Sequence, residues 1–157
     1  MPTDIFIKFD DVKGESADAQ FKDHCELHSW SWGVAQMAMT AGGGMGAGKA
    51  QFQDFSVSKN FDSASSRLMQ KCATGQHFKK VELSARKAGG EQQVFLKYTF
   101  KDAFITSYSV GAGGDYPTEN VSFAYAEVKI EYFKQDAKGG VAKDGEFAYS
   151  VKTNKAV

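Results

Sequence analysis

Apolar and polar residues alternate along Val121–Phe133, and this alternation is the strongest structural signal in the chain. Successive side chains of a strand point to opposite faces, so the segment predicts a long β-strand. One parity is predicted to form an apolar face and consists of Ser122, Ala124, Ala126, Val128, Ile130 and Tyr132. The other parity is predicted to form a polar face with aromatic edges and carries Glu127, Lys129 and Glu131. A slip of one residue would bury these charges, so the pattern specifies the register.

Shorter alternating segments predict further strands of the same kind, giving about eight in all. Polar or glycine-rich turns separate them, and Gly89-Gly90 is typical of a hairpin turn. The predicted segments are Asp4–Phe9, Cys25–Met39, Gln51–Phe61, Phe78–Arg86, Gln92–Phe100, Ala103–Val110 and a short one over Phe147–Val151. Strands and helices do not alternate, so the pattern favours a mainly β fold, a single antiparallel β-barrel or sandwich over residues 1–157.

A single short helix is predicted over Ala64–Ala73. Asp62 or Ser63 precedes it as a candidate N-cap, and Gly75 follows it as a stop signal. The apolar stripe of this helix is short, so we expect the helix to flank the wall of the barrel. The stripe consists of Leu68, Met69 and Cys72.

Composition and charge narrow the class of protein. The 157 residues suffice for one domain with its own core, and 13 Phe, 6 Tyr and 2 Trp favour strands. Lys plus Arg and Asp plus Glu both number 19, so no net field attracts nucleic acid. We expect no membrane insertion, because no apolar segment approaches the roughly 20 residues that span a bilayer. The N-terminal residues lack the pattern of a cleavable signal peptide.

The glycine-rich segment Thr40–Lys49 is the only low-complexity part of the sequence. Within it, Gly43–Lys49 has the G-x-x-x-x-G-K spacing of a phosphate-binding loop, but Ala50 replaces the required Ser or Thr and a strand follows instead of a helix. Ordering a glycine in regular structure costs about 0.5–1 kcal/mol more than ordering an alanine. We therefore expect an extended loop that is either disordered or ordered by lying on another surface, with Met45 as an adaptable contact.

Other residues with the chemistry of a catalytic or metal site are poorly arranged for it. Cys25 and His28 would point to opposite faces of a strand, so they cannot share one metal ion. Lys129 lies between Glu127 and Glu131, which indicates a charge-balanced face rather than an acid-base pair. The two cysteines of the chain are interpreted as reduced structural thiols. We therefore predict no catalytic, cofactor-binding or metal-binding residue.

Four stretches of the chain carry a recognisable combination of motifs. In order they are GESADAQFKDH running into LHSWSWG, then KNFDSASSRLMQKCATG, KDAFITSYSVGAGGD and ENVSFAYAEVKIEY. The most specific parts are SWSWG and the pattern E-x-V-S-x-x-x-A-x-x-x-x-x-Y, formed by Glu119, Val121, Ser122, Ala126 and Tyr132. Together they resemble the haemolysin-coregulated protein (Hcp) family of the bacterial type VI secretion system, over nearly the whole chain.

This resemblance implies a β-barrel with a flanking helix and a structural subunit rather than an enzyme. It implies a homo-hexamer, a ring of six subunits, and stacked rings that form the inner tube driven out of the cell by a contractile sheath. A spike protein caps such a tube, and effector proteins are carried as cargo inside it. The subunit is then cytoplasmic during assembly and later secreted without a cleavable signal peptide. No cofactor and no appended effector domain are expected.

The resemblance also assigns roles to two sets of residues. A contact loop between subunits or rings is expected at Thr40, Gly42, Gly43, Gly44, Met45, Gly46, Gly48 and Lys49. A candidate lumen or polar sheet face is expected at Glu127, Lys129 and Glu131.

A different class of function remains open from the residues alone. A monomeric β-sandwich could bind carbohydrate or peptide through aromatic stacking platforms, for which Trp30, Trp32 and Tyr125 are the candidates. If this alternative is right, these aromatic side chains face solvent. If the protein is a tube subunit, the two indole groups are buried and protected from solvent.

Overall fold

The computed structural model describes residues 3–41, 44–89, 92–135 and 140–157. Within these ranges the chain forms eleven strands and one helix. They are β1 (Thr3–Phe9), β2 (Cys25–Leu27), β3 (Ser29–Ser31), β4 (Val34–Ala41), β5 (Gly44–Phe52), β6 (Phe55–Asn60), α1 (Ser65–Thr74), β7 (His77–Lys87), β8 (Val94–Gly111), β9 (Thr118–Gln135), β10 (Val141–Ser150) and β11 (Lys155–Ala156). The prediction of a mainly β fold with one short helix is confirmed.

The main sheet curves into a barrel-like wall through antiparallel pairings. Strands run in the order β2, β1, β7, β8 and β9, and the far edge of β9 is shared by β6 over residues 118–123 and by β10 over residues 127–135. Strand β3 pairs with the other edge of β6. The chain passes from β2 to β3 at His28, whose N–H donates to the carbonyl of Ser58 (2.8 Å). Because β2 is the last strand at one end of the sheet and β3 pairs with β6 near the other end, this connection brings the two ends of the sheet together without a continuous set of strand pairings.

Aromatic side chains fill the interior. The ring of Phe55 lies 4.7 Å from that of Phe100, 5.2 Å from that of Tyr98 and 5.5 Å from that of Phe123, and it stacks on Trp30 at 5.7 Å. Strands accommodate such rings well because their side chains stand perpendicular to the sheet and meet across it. Each of these rings removes a large apolar area from water, so this cluster is the main source of stability.

The core-facing positions of three neighbouring strands shift phase at the same level of the sheet. Consecutive buried residues are three apart there instead of two, in the pairs Phe78 and Val81 of β7, Phe100 and Ala103 of β8, and Tyr125 and Val128 of β9. Asp102 of β8 lies at this level and has a positive φ of 52°, which an L-residue adopts at local distortions. The sheet therefore bends, and the residues that face the core change parity.

This bend corrects part of the prediction for Val121–Phe133. The second half is right, because Val128 is buried and Ile130 packs against the core. The prediction for the first half is wrong, because Val121, Phe123 and Tyr125 are buried in the core and do not lie on the polar face. Tyr132, predicted to be interior, is 46% exposed. A period of two read along the whole segment cannot detect a change of phase within it.

Three other predicted strands have different bounds in the structure. Cys25–Met39 is divided into β2, β3 and β4, and Gln51–Phe61 is divided between β5 and β6. Ala103–Val110 is not separate, because it continues Gln92–Phe100 within β8. The predicted hairpin of β7 and β8 is confirmed by their antiparallel register, although Gly90 of its turn lies outside the described residues.

The predicted helix is present as α1. Its N-cap is Ala64, which makes no side-chain cap, so the prediction of Asp62 or Ser63 at this position is wrong; the carboxylate of Asp62 instead accepts the N–H of Ala64 (2.9 Å) just before the helix. The predicted stop at Gly75 is confirmed, since this residue ends the helix in the left-handed region with φ 67°. Leu68 is fully buried and Cys72 packs against the core, so the helix contributes to the interior side of the sheet. Met69, predicted to share this stripe, is 36% exposed.

Candidate functional site

Uncharged hydroxyl and amide side chains cover four adjacent strands on the side of the sheet that faces away from the core. The strand registers align them in two rows across β3, β6, β9 and β8. We name these eight residues the hydroxyl panel: Ser31, Ser56, Ser122 and Ser107 in one row, and Ser29, Ser58, Asn120 and Ser109 in the other. All eight are exposed or half-buried, and the hydroxyl groups of Ser56 and Ser122 are 2.8 Å apart. The panel therefore presents many hydrogen-bonding groups and no charge.

The panel continues along β9 into a charged region on the same side of the sheet. Each of the three charges predicted for this face forms an ion pair with a residue of the other sign on a neighbouring strand. The ion pairs are Lys101 with Glu127 at 3.7 Å, Lys129 with Glu146 at 2.9 Å, and Lys143 with Glu131 at 2.7 Å. The placement of Glu127, Lys129 and Glu131 on a polar, charge-balanced face agrees with the sequence pattern, whereas their role in a lumen stays a prediction.

The described residues of the glycine-rich segment lie in two paired strands. β4 and β5 form a two-stranded sheet of their own, with a register that runs from Val34 opposite Phe52 to Ala41 opposite Gly44. The expected contact loop thus has Thr40 in β4, and Gly44, Met45, Gly46, Gly48 and Lys49 in β5. Gly42 and Gly43, the remaining residues of that prediction, lie outside the described residues. Cross-strand hydrogen bonds stabilise glycine backbone that has no side chain to pack.

This β4–β5 hairpin is exposed along its described length. Val34 is 54% exposed and Met37 is 62% exposed, which is unusual for apolar side chains in strands. Lys49 is the only charged residue between Val34 and Phe52. A two-stranded hairpin alone in water is marginally stable, so an exposed hairpin of this composition is typical of a segment that contacts another protein. The element that follows β5 is the strand β6, whereas a phosphate-binding loop requires a helix at this position.

The aromatic side chains proposed as stacking platforms face the core. Trp30 and Trp32 are half-buried and pack against the core cluster, and Tyr125 is only 8% exposed. The indole N–H of Trp32 donates to the hydroxyl of Tyr125 at 2.5 Å. These rings are therefore not available to stack on a sugar or peptide in solution.

Residues with the chemistry of a metal or nucleophile site are also kept apart. No group of three or more His, Cys, Asp or Glu side chains with metal-site geometry occurs among the described residues. His28 is instead hydrogen-bonded through Nε2 to the side chain of Asn60 at 2.7 Å. Burial raises the pKa of the Cys25 thiol to about 12, so this thiol stays protonated and unreactive. In the described part of the chain, no helix has the length and apolar character that crossing a membrane requires.

A buried charged cluster links β6, β9 and the start of α1. The side chains of Lys59 and Glu119 are both fully buried and form a salt bridge, and Lys59 Nζ also lies 2.8 Å from Asp62 Oδ1. The hydroxyl of Tyr108 donates to the other carboxylate oxygen of Glu119. Burial alone would lower the pKa of Lys59, but the two carboxylates outweigh burial and raise it. Sequence reasoning missed this cluster, although a lysine on the parity of Phe55 was its visible signal.

Comparisons with known proteins agree with this geometry. A family model described as "Type VI secretion system effector, Hcp" matches residues 6–132. The chain is 42% identical to protein Hcp1 of Pseudomonas aeruginosa over 161 residues, which covers 98% of both chains. A solved structure of a type six secretion system protein has a TM-score of 0.91 at 33% identity, over 99% of this chain and 100% of that one. Hcp1 from Salmonella typhimurium has a TM-score of 0.82 at 31% identity, with both chains fully covered.

The fold and its exposed surfaces define a barrel-like β-protein of the kind that type VI secretion systems use. The chain belongs to the Hcp family of type VI secretion system proteins. The resemblance found in SWSWG and in the E-x-V-S pattern of β9 is therefore confirmed at the level of the family.

Proposed function

We propose that this chain is a non-enzymatic structural subunit of the type VI inner tube, and that six copies close into a ring. The observation that carries this proposal is the hydroxyl panel, a broad polar face on a curved sheet whose opposite side is the aromatic core. A ring of such sheets has a hydrated inner surface and outward-facing helices, because α1 lies on the core side. Stacked rings then enclose a continuous channel.

An open sheet edge supports association between copies. β11 pairs with Tyr149 and Ser150 of β10, and the N–H of Val157 donates to the carbonyl of Ala148 at 3.1 Å, so residues 141–147 of β10 have no strand along their outer edge within the described part of the chain. An unpaired edge of this length tends to pair with another chain. A closed ring of identical subunits satisfies every edge in the same way and prevents open-ended aggregation in the plane of the ring.

The lumen in this proposal is lined by the hydroxyl panel and by Glu127, Lys129 and Glu131. Hydroxyl groups hold water and form individually weak hydrogen bonds, and the charges of this face are already paired. Such a surface holds a folded protein loosely and lets it move, which suits effector cargo. The β4–β5 hairpin supplies contacts between subunits or rings, the sheath surrounds the tube and the spike protein caps it. Assembly takes place in the cytoplasm, and export follows without a cleavable signal.

The oligomeric state tests this proposal directly. We expect native mass spectrometry of the purified protein to give a species of six chains, and negative-stain images to show rings with a central hole. A protein that stays monomeric at high micromolar concentration and shows no rings would contradict the proposal. Stacks of rings at higher concentration would support the tube.

The position of the hydroxyl panel in the ring can be tested by labelling. In a Cys72→Ala background, Ser107→Cys is modified with a thiol-reactive gold cluster, and end-on rings are averaged. We expect density inside the central hole. A label at Gln70→Cys on α1 is the matched control and is expected at the outer margin, because α1 and the panel lie on opposite sides of the sheet. Gold at the outer margin for Ser107→Cys would show that this face does not line the lumen.

A further inference from the structure

One hydroxyl group of the barrel contacts both ends of the β4–β5 hairpin. Trp32 comes two residues before β4, and Gln53 directly follows β5. The hydroxyl of Tyr125, on β9, accepts the indole N–H of Trp32 at 2.5 Å and donates to the carbonyl of Gln53 at 2.9 Å. Tyr125 is itself 8% exposed, with its ring 5.0 Å from that of Phe100. The core of the barrel thus holds both chains that lead into the hairpin.

Packing at the base of the hairpin adds to this hydrogen-bonded clamp. The N–H of Gln53 donates to the carbonyl of Gly33 at 2.9 Å, which joins the two connecting chains. Phe52 lies between Trp32 at 5.8 Å and Tyr149 of β10 at 4.6 Å, measured between ring centroids. These contacts fix the position of the base, and the Tyr125 hydroxyl adds hydrogen bonds of defined direction from the barrel to the residues on both sides of it.

We infer that Tyr125 is a positioning residue: together with Trp32 and Gln53 it fixes the direction in which the hairpin leaves the barrel. The hairpin is thereby a rigid arm that is already set for contact with a second copy of this chain. The identity of that partner rests on the proposed function, whereas the fixed direction is a property of the single subunit.

The reason for such a clamp follows from the topology. The hairpin pairs with no strand of the main sheet among the described residues, so its ladder cannot hold its direction. Without the clamp it would rotate about the short connections at Gly33 and Asp54. The carboxylate of Asp54 does accept a hydrogen bond from Thr106 at 2.7 Å, but that pair is exposed and competes with water. Binding through a freely moving arm is weaker, because the entropy of the arm decreases when it becomes ordered. An arm whose direction is already fixed avoids this loss of affinity.

The inference is tested by measuring the distance between the hairpin and the barrel. Spin labels are placed at Lys49→Cys on β5 and Gln70→Cys on α1 in a Cys72→Ala background, and labelled chains are diluted in unlabelled protein. Double electron–electron resonance should give one narrow distance distribution. In Tyr125→Phe, which keeps the ring and removes the hydroxyl, the distribution should become broad. Trp32→Phe should broaden it similarly, and the double variant should add little, because both substitutions break the same clamp.

Tyr98→Phe is the matched control. Tyr98 is also a buried core tyrosine in contact with Trp32, but its hydroxyl has no hydrogen-bond partner among the described residues. We expect this variant to keep the narrow distribution. An unchanged narrow distribution in Tyr125→Phe would overturn the inference. Contacts within a ring would themselves hold the hairpin, so the distances are measured at a protein concentration at which native mass spectrometry shows single chains. The measurement then reports on one subunit, whereas the oligomeric state at higher concentration separately decides the proposed function.

Discussion

A variant in which an Asn-Gly turn replaces residues 36–50 is expected to fold and to lose assembly. The register places Ala35 opposite Gln51, so a two-residue turn closes a short hairpin there and keeps the base contacts of Trp32 and Gln53. The described residues of the removed part are mostly exposed and pair with no strand of the main sheet, so its loss is expected to cost the subunit little stability. If its contacts contribute even about 4 kcal/mol between copies, association weakens about a thousandfold. Native mass spectrometry and negative-stain images measure the loss of rings or tubes.

Two controls show what causes the expected loss of assembly. Circular dichroism and urea unfolding should match those of the intact protein, which shows that the barrel is preserved. Met37→Ala in the full-length hairpin separates loss of the whole arm from loss of one exposed apolar side chain, and should weaken assembly less. Rings of normal yield and stacking from the shortened variant would show that the hairpin does not mediate assembly.

Glu119→Ala is expected to destabilise the subunit by about 3 kcal/mol, the lower end for breaking a buried ion pair, because the buried ammonium group of Lys59 loses one of its two carboxylate partners and keeps only Asp62. The side chains of Lys59 and Glu119 are fully buried, so water cannot replace the lost carboxylate. The substitution also leaves the hydroxyl of Tyr108 without its acceptor. Urea unfolding monitored by tryptophan fluorescence measures the free energy of unfolding, and Trp30 reports directly on the core.

Glu127→Ala provides the comparison for this prediction. Its ion pair with Lys101 is exposed, with 67% of the lysine side chain in solvent, so we expect a loss below about 1 kcal/mol. A double variant, Lys59→Met with Glu119→Leu, should recover part of the stability lost in Glu119→Ala, because the buried ammonium group is removed together with Glu119, and the remaining carboxylate of Asp62 still accepts the N–H of Ala64. A loss for Glu119→Ala as small as that for Glu127→Ala would show that the buried cluster is not energetically important.

Local pattern predicted those parts of the fold in which each strand keeps one phase. Two examples are the second half of β9 and the part of the β7–β8 hairpin nearest its turn, where Val81–Ala85 pairs with Leu96–Phe100. Alternating residues, and in the hairpin a Gly-containing turn, specify these parts locally. The first half of β9 was misassigned because the bend at Asp102 involves three strands at once. Such a bend is a property of the sheet, and no single segment contains the information for it.

The glycine-rich segment shows a different limit of sequence reasoning. A strand is predicted from the alternation of its side chains, and Gly44–Gly48 has almost none to alternate. Its strand conformation depends on pairing with β4, and this pairing cannot be predicted from the segment itself. The contact role assigned to this segment through the family resemblance remains a prediction that the shortened variant tests.

Sequence patterns also could not predict that the residues of the hydroxyl panel form one surface. Its members come from four strands that are far apart in the chain, and single serines at alternate positions are ordinary in exposed strands. Only the registers of β3, β6, β9 and β8 align them in rows. The charged part of the same face was found because Glu127, Lys129 and Glu131 follow one another within one strand.

The position of β9 between β8, β6 and β10 has a consequence for synthesis on the ribosome. Val57 of β6 pairs with Val121, so the first half of the molecule cannot complete its sheet until β9 has been translated. Sheets that depend on such distant pairings form slowly, commonly in milliseconds to seconds. Until then the nascent chain carries β6 with one edge unpaired and its aromatic residues uncovered, a state that favours aggregation and is a natural substrate for chaperones.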